Sequence, residues 1–238
     1  MTNPFVKRTY VLIAGAWHGG WVWRDIIPAL RALGHEVSAP TLSGLGERRD
    51  GAHDDIDLST HIDDVIAHLD MEGLQEVTLV GWSYGGMVIS GVAERLPERI
   101  TGMIYLDAMV PEDGKALVDY LPIESREALI ELTRDGSSIP PMPLERFGVH
   151  QPELIEFLTP RLTAQPWRTF FEPVRCGPLA EHIAVGYIRC SGYDAPHFQE
   201  TYARMQLRPG VSTAQIATGH MCMLSEPQRT TELLANLL

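Results

Sequence analysis

Cysteine and long apolar runs are scarce in this sequence, and each scarcity excludes a class of protein. The three cysteines, Cys176, Cys190 and Cys222, show no Cys-x-x-Cys or Cys/His spacing, so we expect neither a disulfide framework nor a zinc site. No apolar run approaches the ~18 residues of a membrane span, and the first residues lack the apolar stretch of a signal peptide. We therefore expect a soluble protein of a reducing compartment, the cytoplasm.

Basic residues are also few. The 19 Lys and Arg residues face 31 Asp and Glu residues, for a formal net charge of −12, which argues against a nucleic-acid partner and against an anionic membrane. The sequence contains neither G-x-G-x-x-G nor G-K-[ST], so a dinucleotide or phosphate cradle is not expected. His53, His61 and His68 are interpreted as solvated residues and not as metal ligands. We expect no metal, no cofactor and a small-molecule substrate, and a homodimer is left open.

What the chain does contain is the alternation of strands and helices typical of an α/β fold. Its 238 residues, 45% of them hydrophobic, are enough for one large core. Strands are predicted at residues 9–14, 36–42, 77–80, 103–106, 185–190 and 212–217. Helices are predicted at residues 21–33, 57–72, 196–207 and 226–238. Right-handed crossovers between such elements predict a doubly wound six-stranded parallel sheet.

Residues 111–183 interrupt this alternation. They contain many prolines between short helical patches and no convincing strand. Ligands of open α/β sheets bind at the carboxyl ends of the strands, so an insertion after the fourth strand predicts a cap over the site. The predicted organisation is a core of residues 1–110 and 184–238 with a mainly helical cap of residues 111–183.

Residues 81–85 (GWSYG) form a G-x-S-x-G pattern between an apolar strand and an apolar helix. In that context the serine lies in a tight, strained turn with its hydroxyl exposed, and flanking glycines avoid collisions with neighbouring backbone. Ser83 is therefore the candidate nucleophile.

A serine hydroxyl needs a base to take its proton, and the base needs a carboxylate to fix its tautomer. His220, after the last strand, is the candidate base. Two carboxylates fit the chain order Ser, Asp, His. Asp194 is preferred, because the loop after the fifth strand lies nearer the last strand. Asp107, at the end of the fourth strand, is the alternative.

An oxyanion needs two backbone N–H donors. One is expected from Tyr84, after the nucleophile, and the other from the first loop, where Ala16 and Trp17 are the options. Residues expected to contact substrate are Trp17, His18, Trp82, Trp167 and Phe170.

Three segments carry a family resemblance that extends over nearly the whole chain. Residues 14–21 (AGAWHGGW), 81–86 (GWSYGG) and 219–227 (GHMCMLSEP) resemble the α/β-hydrolase branch of plant methylesterases, salicylate-binding esterases and hydroxynitrile lyases. Residues 44–48 (GLGER) and 162–170 (LTAQPWRTF) are similar to stretches of its bacterial esterase-like members.

This resemblance implies a triad of Ser83, Asp194 and His220, with Ala16 and Tyr84 as oxyanion donors. The sequence departs from the family pattern in three places. Residues 14–15 are Ala-Gly where relatives commonly have His-Gly. The residues before and after Ser83 are Trp82 and Tyr84, where relatives commonly have His and Leu. The loop with Asp194 is shorter than in the plant proteins.

Four functions fit the sequence to different degrees. The first is an esterase that cleaves a small, aromatic or cyclic ester or lactone through an acyl-enzyme. The second is a hydroxynitrile-type lyase, disfavoured because Gly15 and Met221 replace the threonine and lysine of that branch. A ligand receptor and a cofactor-free oxygenase or polyketide-modifying enzyme are the others.

Overall fold

The structure is a computed structural model that describes residues 7–51 and 55–238. The predicted sheet is confirmed: six strands lie in the order β2-β1-β3-β4-β5-β6, and every neighbouring pair is parallel. The strands are β1 Thr9–Ile13, β2 Glu36–Ser38, β3 Val77–Trp82, β4 Ile100–Leu106, β5 Ala184–Cys190 and β6 Val211–Ile216.

Helices connect these strands and cover both faces of the sheet. The α-helices are α1 Ile26–Ala32, α2 Leu58–Met71, α3 Gly85–Arg95, α4 Ile123–Leu132, α5 Pro152–Leu158, α6 Arg168–Phe171, α7 Pro196–Gln206, α8 Cys222–Ser225 and α9 Pro227–Asn236. All six residues of β3 are buried, as expected for a central parallel strand covered on both faces.

Some predicted boundaries differ from the structure for local reasons. The predicted strand 36–42 ends at Ser38, two residues before Pro40, which has no N–H to donate to a strand neighbour. The predicted helix 21–33 is divided into a 3-10 turn, Gly20–Trp23, and α1. At α2 the prediction was accurate, because Asp57 caps the helix by accepting the Thr60 amide at 2.8 Å.

The histidines of α2 correct one interpretation. His61, predicted to be solvated, is completely buried. His68 is half-buried and its Nε2 lies 2.8 Å from Ser38 Oγ, and His53 lies outside the described residues. In the ranges 7–51 and 55–238, no group of three or more His, Cys, Asp or Glu side chains could hold a metal ion. None of the helices described there is long and apolar enough to cross a membrane.

The segment predicted as a cap contains α4, α5 and α6 and two 3-10 turns, Leu117–Tyr120 and Leu144–Phe147. Its sheet-like pairing within the described residues is one antiparallel bridge between Ile139 and Gln165. Helix α4 has no buried residue, whereas Phe147, Gln165 and Phe170 are buried. The inner side of this segment therefore packs closely onto the sheet edge that carries Ser83.

Candidate active site

Ser83 occupies the turn between β3 and α3 with φ 55°, the left-handed region that side chains other than glycine rarely adopt. A Cβ at Gly81 would lie 2.6 Å from the Gly85 carbonyl oxygen, and a Cβ at Gly85 would lie 2.7 Å from the Ile13 carbonyl oxygen. Glycine is therefore required on both sides of the serine. Ser83 itself is half-buried at the carboxyl edge of the sheet.

His220 follows β6, and its ring Nδ1 lies 2.7 Å from Asp107 Oδ2. Asp107 comes directly after β4, is completely buried and has φ 43°. Because Nδ1 donates to the carboxylate, Nε2 is the nitrogen left to accept a proton from a nucleophile. The Trp82 indole N–H donates to the His220 carbonyl at 2.9 Å, which ties the base to the turn that carries Ser83.

The structure does not support Asp194, the acid preferred from the sequence, as the partner of His220. Asp194 is exposed, and among the hydrogen bonds of the described residues none joins it to His220. The preceding residue, Tyr193, stacks its ring on His220 with 4.5 Å between the ring centroids. The loop after β5 does approach the base, but it presents an aromatic ring where the prediction expected a carboxylate. Asp107 therefore replaces Asp194 as the candidate acid.

Arg189 is a buried partner of Asp107 that the sequence does not predict. Its Nη1 lies 2.6 Å from Asp107 Oδ1, and both side chains are buried. The same guanidinium donates to the carbonyls of Cys190 and Tyr193, while the Cys190 amide donates to Asp107 Oδ1 at 3.1 Å. A buried carboxylate is costly unless it is paired and hydrogen-bonded, and Arg189 supplies the compensating charge. Its position inside an apolar strand gave no signal in the sequence.

Aromatic rings surround the imidazole of His220. Besides Tyr193, Phe198 and Phe147 stack on it at centroid distances of 5.3 and 5.9 Å, and Trp82 lies at 5.1 Å. Phe147 belongs to the cap, and its carbonyl accepts the His220 amide at 3.0 Å. The base is thus enclosed from both the sheet and the cap.

The predicted oxyanion donors, Ala16 and Tyr84, belong to the two segments that meet at Ser83. A Cβ on Gly15 would lie 2.9 Å from Ser83 Cβ, so the first loop runs directly against the serine. The Trp17 amide donates to Gln165 Oε1 at 2.9 Å and is unavailable. In the described part of the chain no protein group accepts from the Ala16 or Tyr84 amide. Of the two options in the first loop, the geometry favours Ala16.

The predicted substrate-contacting residues have different surroundings. Trp17, His18, Trp82 and Phe170 are buried, and the indole N–H of Trp17 donates to the Ile139 carbonyl at 3.0 Å. Trp167 is half-buried and packs between Phe171 and the Arg168 guanidinium. The first four belong to the walls around Ser83 and His220, whereas Trp167 contacts other cap residues.

Two buried histidines support the donors. His18 Nδ1 donates to the Ala16 carbonyl at 2.6 Å. His61 Nε2 donates to the Ser43 carbonyl, so its Nδ1 accepts the Tyr84 hydroxyl, each at 2.9 Å. Burial lowers the pKa of both histidines to about 4, so both are neutral at pH 7. They therefore orient backbone and side chains without adding charge.

Comparison with known proteins gives matches over most of the chain. The sequence profile described as "Alpha/beta hydrolase family" matches residues 10–233. A carbendazim hydrolyzing esterase of Nocardioides sp. (strain SG-4G) is 36% identical over 96% of this chain and 98% of its own. The salicylic acid-binding protein 2 of Nicotiana tabacum is 36% identical, over 44% of this chain and 41% of its own.

Among solved structures, an extracellular alpha/beta-hydrolase from a Paenibacillus species superposes with a TM-score of 0.80. It covers 97% of this chain and 98% of its own at 22% identity, and shows a shared fold. Together these relatives confirm the predicted branch of plant methylesterases, salicylate-binding esterases and hydroxynitrile lyases with its bacterial members.

Proposed function

Because the chain belongs to the alpha/beta hydrolase family and is a carboxylic ester hydrolase, we propose that it cleaves a small aromatic or cyclic ester or lactone through an acyl-enzyme on Ser83. The observation that supports this most strongly is the 2.7 Å contact between His220 Nδ1 and Asp107 Oδ2, at the sheet edge where Ser83 is held in a strained turn. Ser83, His220 and Asp107 are the proposed triad.

In the proposed reaction, Nε2 of His220 takes the proton of Ser83 as its oxygen attacks the ester carbonyl. Asp107 stabilises the imidazolium that forms and keeps the ring in the correct tautomer. His220 then returns the proton to the leaving alcohol. A water molecule, activated by the same nitrogen, attacks the acyl-enzyme and releases the acid.

The tetrahedral intermediate carries a negative oxygen, which we place between the amides of Ala16 and Tyr84. Preformed donors at that position typically contribute ~10²- to 10³-fold in rate each. The buried Tyr84 side chain, held by His61, fixes one of them. The enclosed aromatic surroundings strengthen these interactions by excluding water.

The alternative lyase function is disfavoured by a steric observation. In the lyase branch a threonine in the first loop holds the cyanohydrin, and this chain has Gly15 there. A side chain at position 15 would place its Cβ 2.9 Å from Ser83 Cβ and 3.0 Å from the Trp82 ring. The loop is thus packed for glycine, and the threonine contact of that branch has no equivalent.

The substrate class follows from the walls of the site. Trp82, Phe147, Phe170 and Tyr193 supply aromatic surface around Ser83 and His220, which favours flat, apolar acyl or alcohol groups over long chains. Carbendazim, from the name of the Nocardioides relative, is a reasonable first substrate to test. The cytoplasm remains the proposed compartment, supported by three free cysteines.

The experiment that tests this proposal is labelling with a fluorophosphonate followed by mass spectrometry. The adduct should map to Ser83, and Ser83→Ala should lower kcat by ~10⁴-fold or more while leaving the circular dichroism spectrum unchanged. A panel of p-nitrophenyl, methyl aryl, lactone and carbendazim substrates should then rank aromatic and cyclic esters above long-chain ones. An Ser83→Ala variant with most of its activity would disprove the acyl-enzyme.

A further inference from the structure

Most backbone polar groups of the first loop, residues 15–18, have hydrogen-bond partners. The Gly15 carbonyl accepts the His18 amide at 3.4 Å, and the Ala16 carbonyl accepts His18 Nδ1 at 2.6 Å. The Trp17 amide and carbonyl both pair with the cap, with Gln165 Oε1 at 2.9 Å and the Thr163 amide at 3.1 Å. Among residues 7–51 and 55–238, no group accepts from the Ala16 N–H.

Trp17 cannot hold this conformation by local preference. Its φ is 67°, a left-handed conformation that bulky side chains rarely adopt and that persists only where surrounding contacts impose it. Those contacts come from the cap. The peptide between Ala16 and Trp17 is held at its oxygen by His18 and at its N–H by Gln165, so its plane is fixed from both ends.

The surroundings of Gln165 orient its side chain so that its oxygen accepts from the Trp17 amide. Its side chain is completely buried, and its Nε2 donates to Thr169 Oγ1 at 2.8 Å. The Thr169 hydroxyl gives its own proton to the Pro166 carbonyl at 2.6 Å, so it can only accept from Gln165. The amide nitrogen must therefore face Thr169, and Oε1 must face the Trp17 amide. The Gln165 backbone is anchored by two 2.8 Å hydrogen bonds with Ile139.

We propose that Gln165 is a positioning residue that sets the oxyanion hole from the cap: it fixes the Ala16–Trp17 peptide, and this limits the rotation of the adjoining Gly15–Ala16 peptide, which carries the Ala16 N–H. This inference rests on the proposed function. It also gives a role to the two segments that resemble bacterial esterases. Thr163, in residues 162–170, accepts the Gly46 amide of residues 44–48 at 3.1 Å, so the cap contacts residues 44–48 as well as the first loop.

Three variants test the proposal. Gln165→Met keeps the length of the side chain but removes the acceptor, so kcat should fall by up to ~10²-fold, as for loss of one oxyanion donor, with KM within about 2-fold. Gln165→Glu, whose carboxyl is kept protonated by burial, accepts from the Trp17 amide and donates to Thr169 as the native amide does, so most of kcat should return. Gln151→Met makes the same substitution at an exposed cap residue and should match the wild type.

A matched pair of inhibitors separates positioning from general loss of structure. A trifluoromethyl ketone forms a hemiketal oxyanion with the serine, and its inhibition constant should rise in Gln165→Met by the same factor as kcat falls. The corresponding methyl ketone stays planar, and its inhibition constant should not change. A merely structural role would weaken both inhibitors together.

Several outcomes would overturn the proposal. They are an unchanged kcat in a folded Gln165→Met, equal weakening of the two ketones, or a Gln165→Glu variant as slow as Gln165→Met. If Gln165→Met does not fold, Gln165→Asn replaces it, since its amide is too short to reach Trp17 and should be slow where Gln165→Glu is fast. Activity in Ser83→Ala would disprove the proposed function, whereas an inactive Ser83→Ala with an unaffected Gln165→Met disproves only this inference.

Discussion

The ends of β4 and β5 are neighbouring positions on the same sheet edge, and each is followed by an aspartate. Asp107, after β4, is buried and contacts both His220 and Arg189. Asp194, after β5, is exposed, and Tyr193 beside it contacts the base. The same chain order is compatible with either acid, so the difference is made by the direction in which each loop turns its side chains.

Replacing each aspartate with asparagine is the strongest test of which one acts as the acid. Asp107→Asn should reduce kcat/KM by ~10⁴-fold, because an amide favours the wrong tautomer of His220. Asp194→Asn serves as the matched control and should stay within about 2-fold of the wild type, as expected for an exposed side chain. Rates should be normalised to the folded fraction from circular dichroism. A large loss in Asp194→Asn with an active Asp107→Asn would return the acid to the loop after β5.

The second test concerns the cation that allows Asp107 to be buried. Arg189→Met leaves that carboxylate without its partner, and breaking a buried ion pair typically costs about 3–5 kcal/mol of unfolding free energy. The control is Arg204→Met, which removes a largely exposed pair with Glu112, a kind of contact that contributes about 0–1 kcal/mol. Urea unfolding of both variants measures the difference.

A double variant sharpens the same test. If Asp107 and Arg189 are coupled, Asp107→Asn combined with Arg189→Met should be less destabilised than the sum of the two single changes. Additive losses, or an Arg189→Met variant as stable as Arg204→Met, would show that the buried pair does not support the end of β4.

The smallest expected effect concerns Tyr193, the aromatic residue that contacts His220 from the loop after β5. Tyr193→Leu removes the ring stacked on His220, and aromatic pairs contribute about 0.5–1.5 kcal/mol beyond their buried area. We expect kcat to fall roughly 2- to 10-fold, in keeping with that energy. Tyr202→Leu, which removes a ring of α7 that packs against Tyr187 of β5, should lower stability without changing kcat. Equal kinetic effects of the two variants would mean that Tyr193 does not orient the base.

The sequence by itself determined the sheet, the serine turn and the candidate base. Apolar strands alternate with helices along the chain, and this alternation predicts a parallel sheet. A Cβ at Gly81 or Gly85 would lie under 3 Å from backbone atoms, so only glycine fits at these two positions. The sequence pattern around Ser83 therefore identifies the turn by itself. His220 was found by its position after the last strand, because parallel strands bring their carboxyl ends to one edge.

Only the tertiary structure decided which acid contacts His220 and how the first loop is held. Asp107 was recognised through its contact with His220, which lies 113 residues away in the chain. Gln165, which holds Trp17 from 148 residues away, lies in a cap whose helices and turns follow no simple period. Both contacts depend on long-range packing and on the direction of side chains, and the spacing of residues along the chain predicts neither.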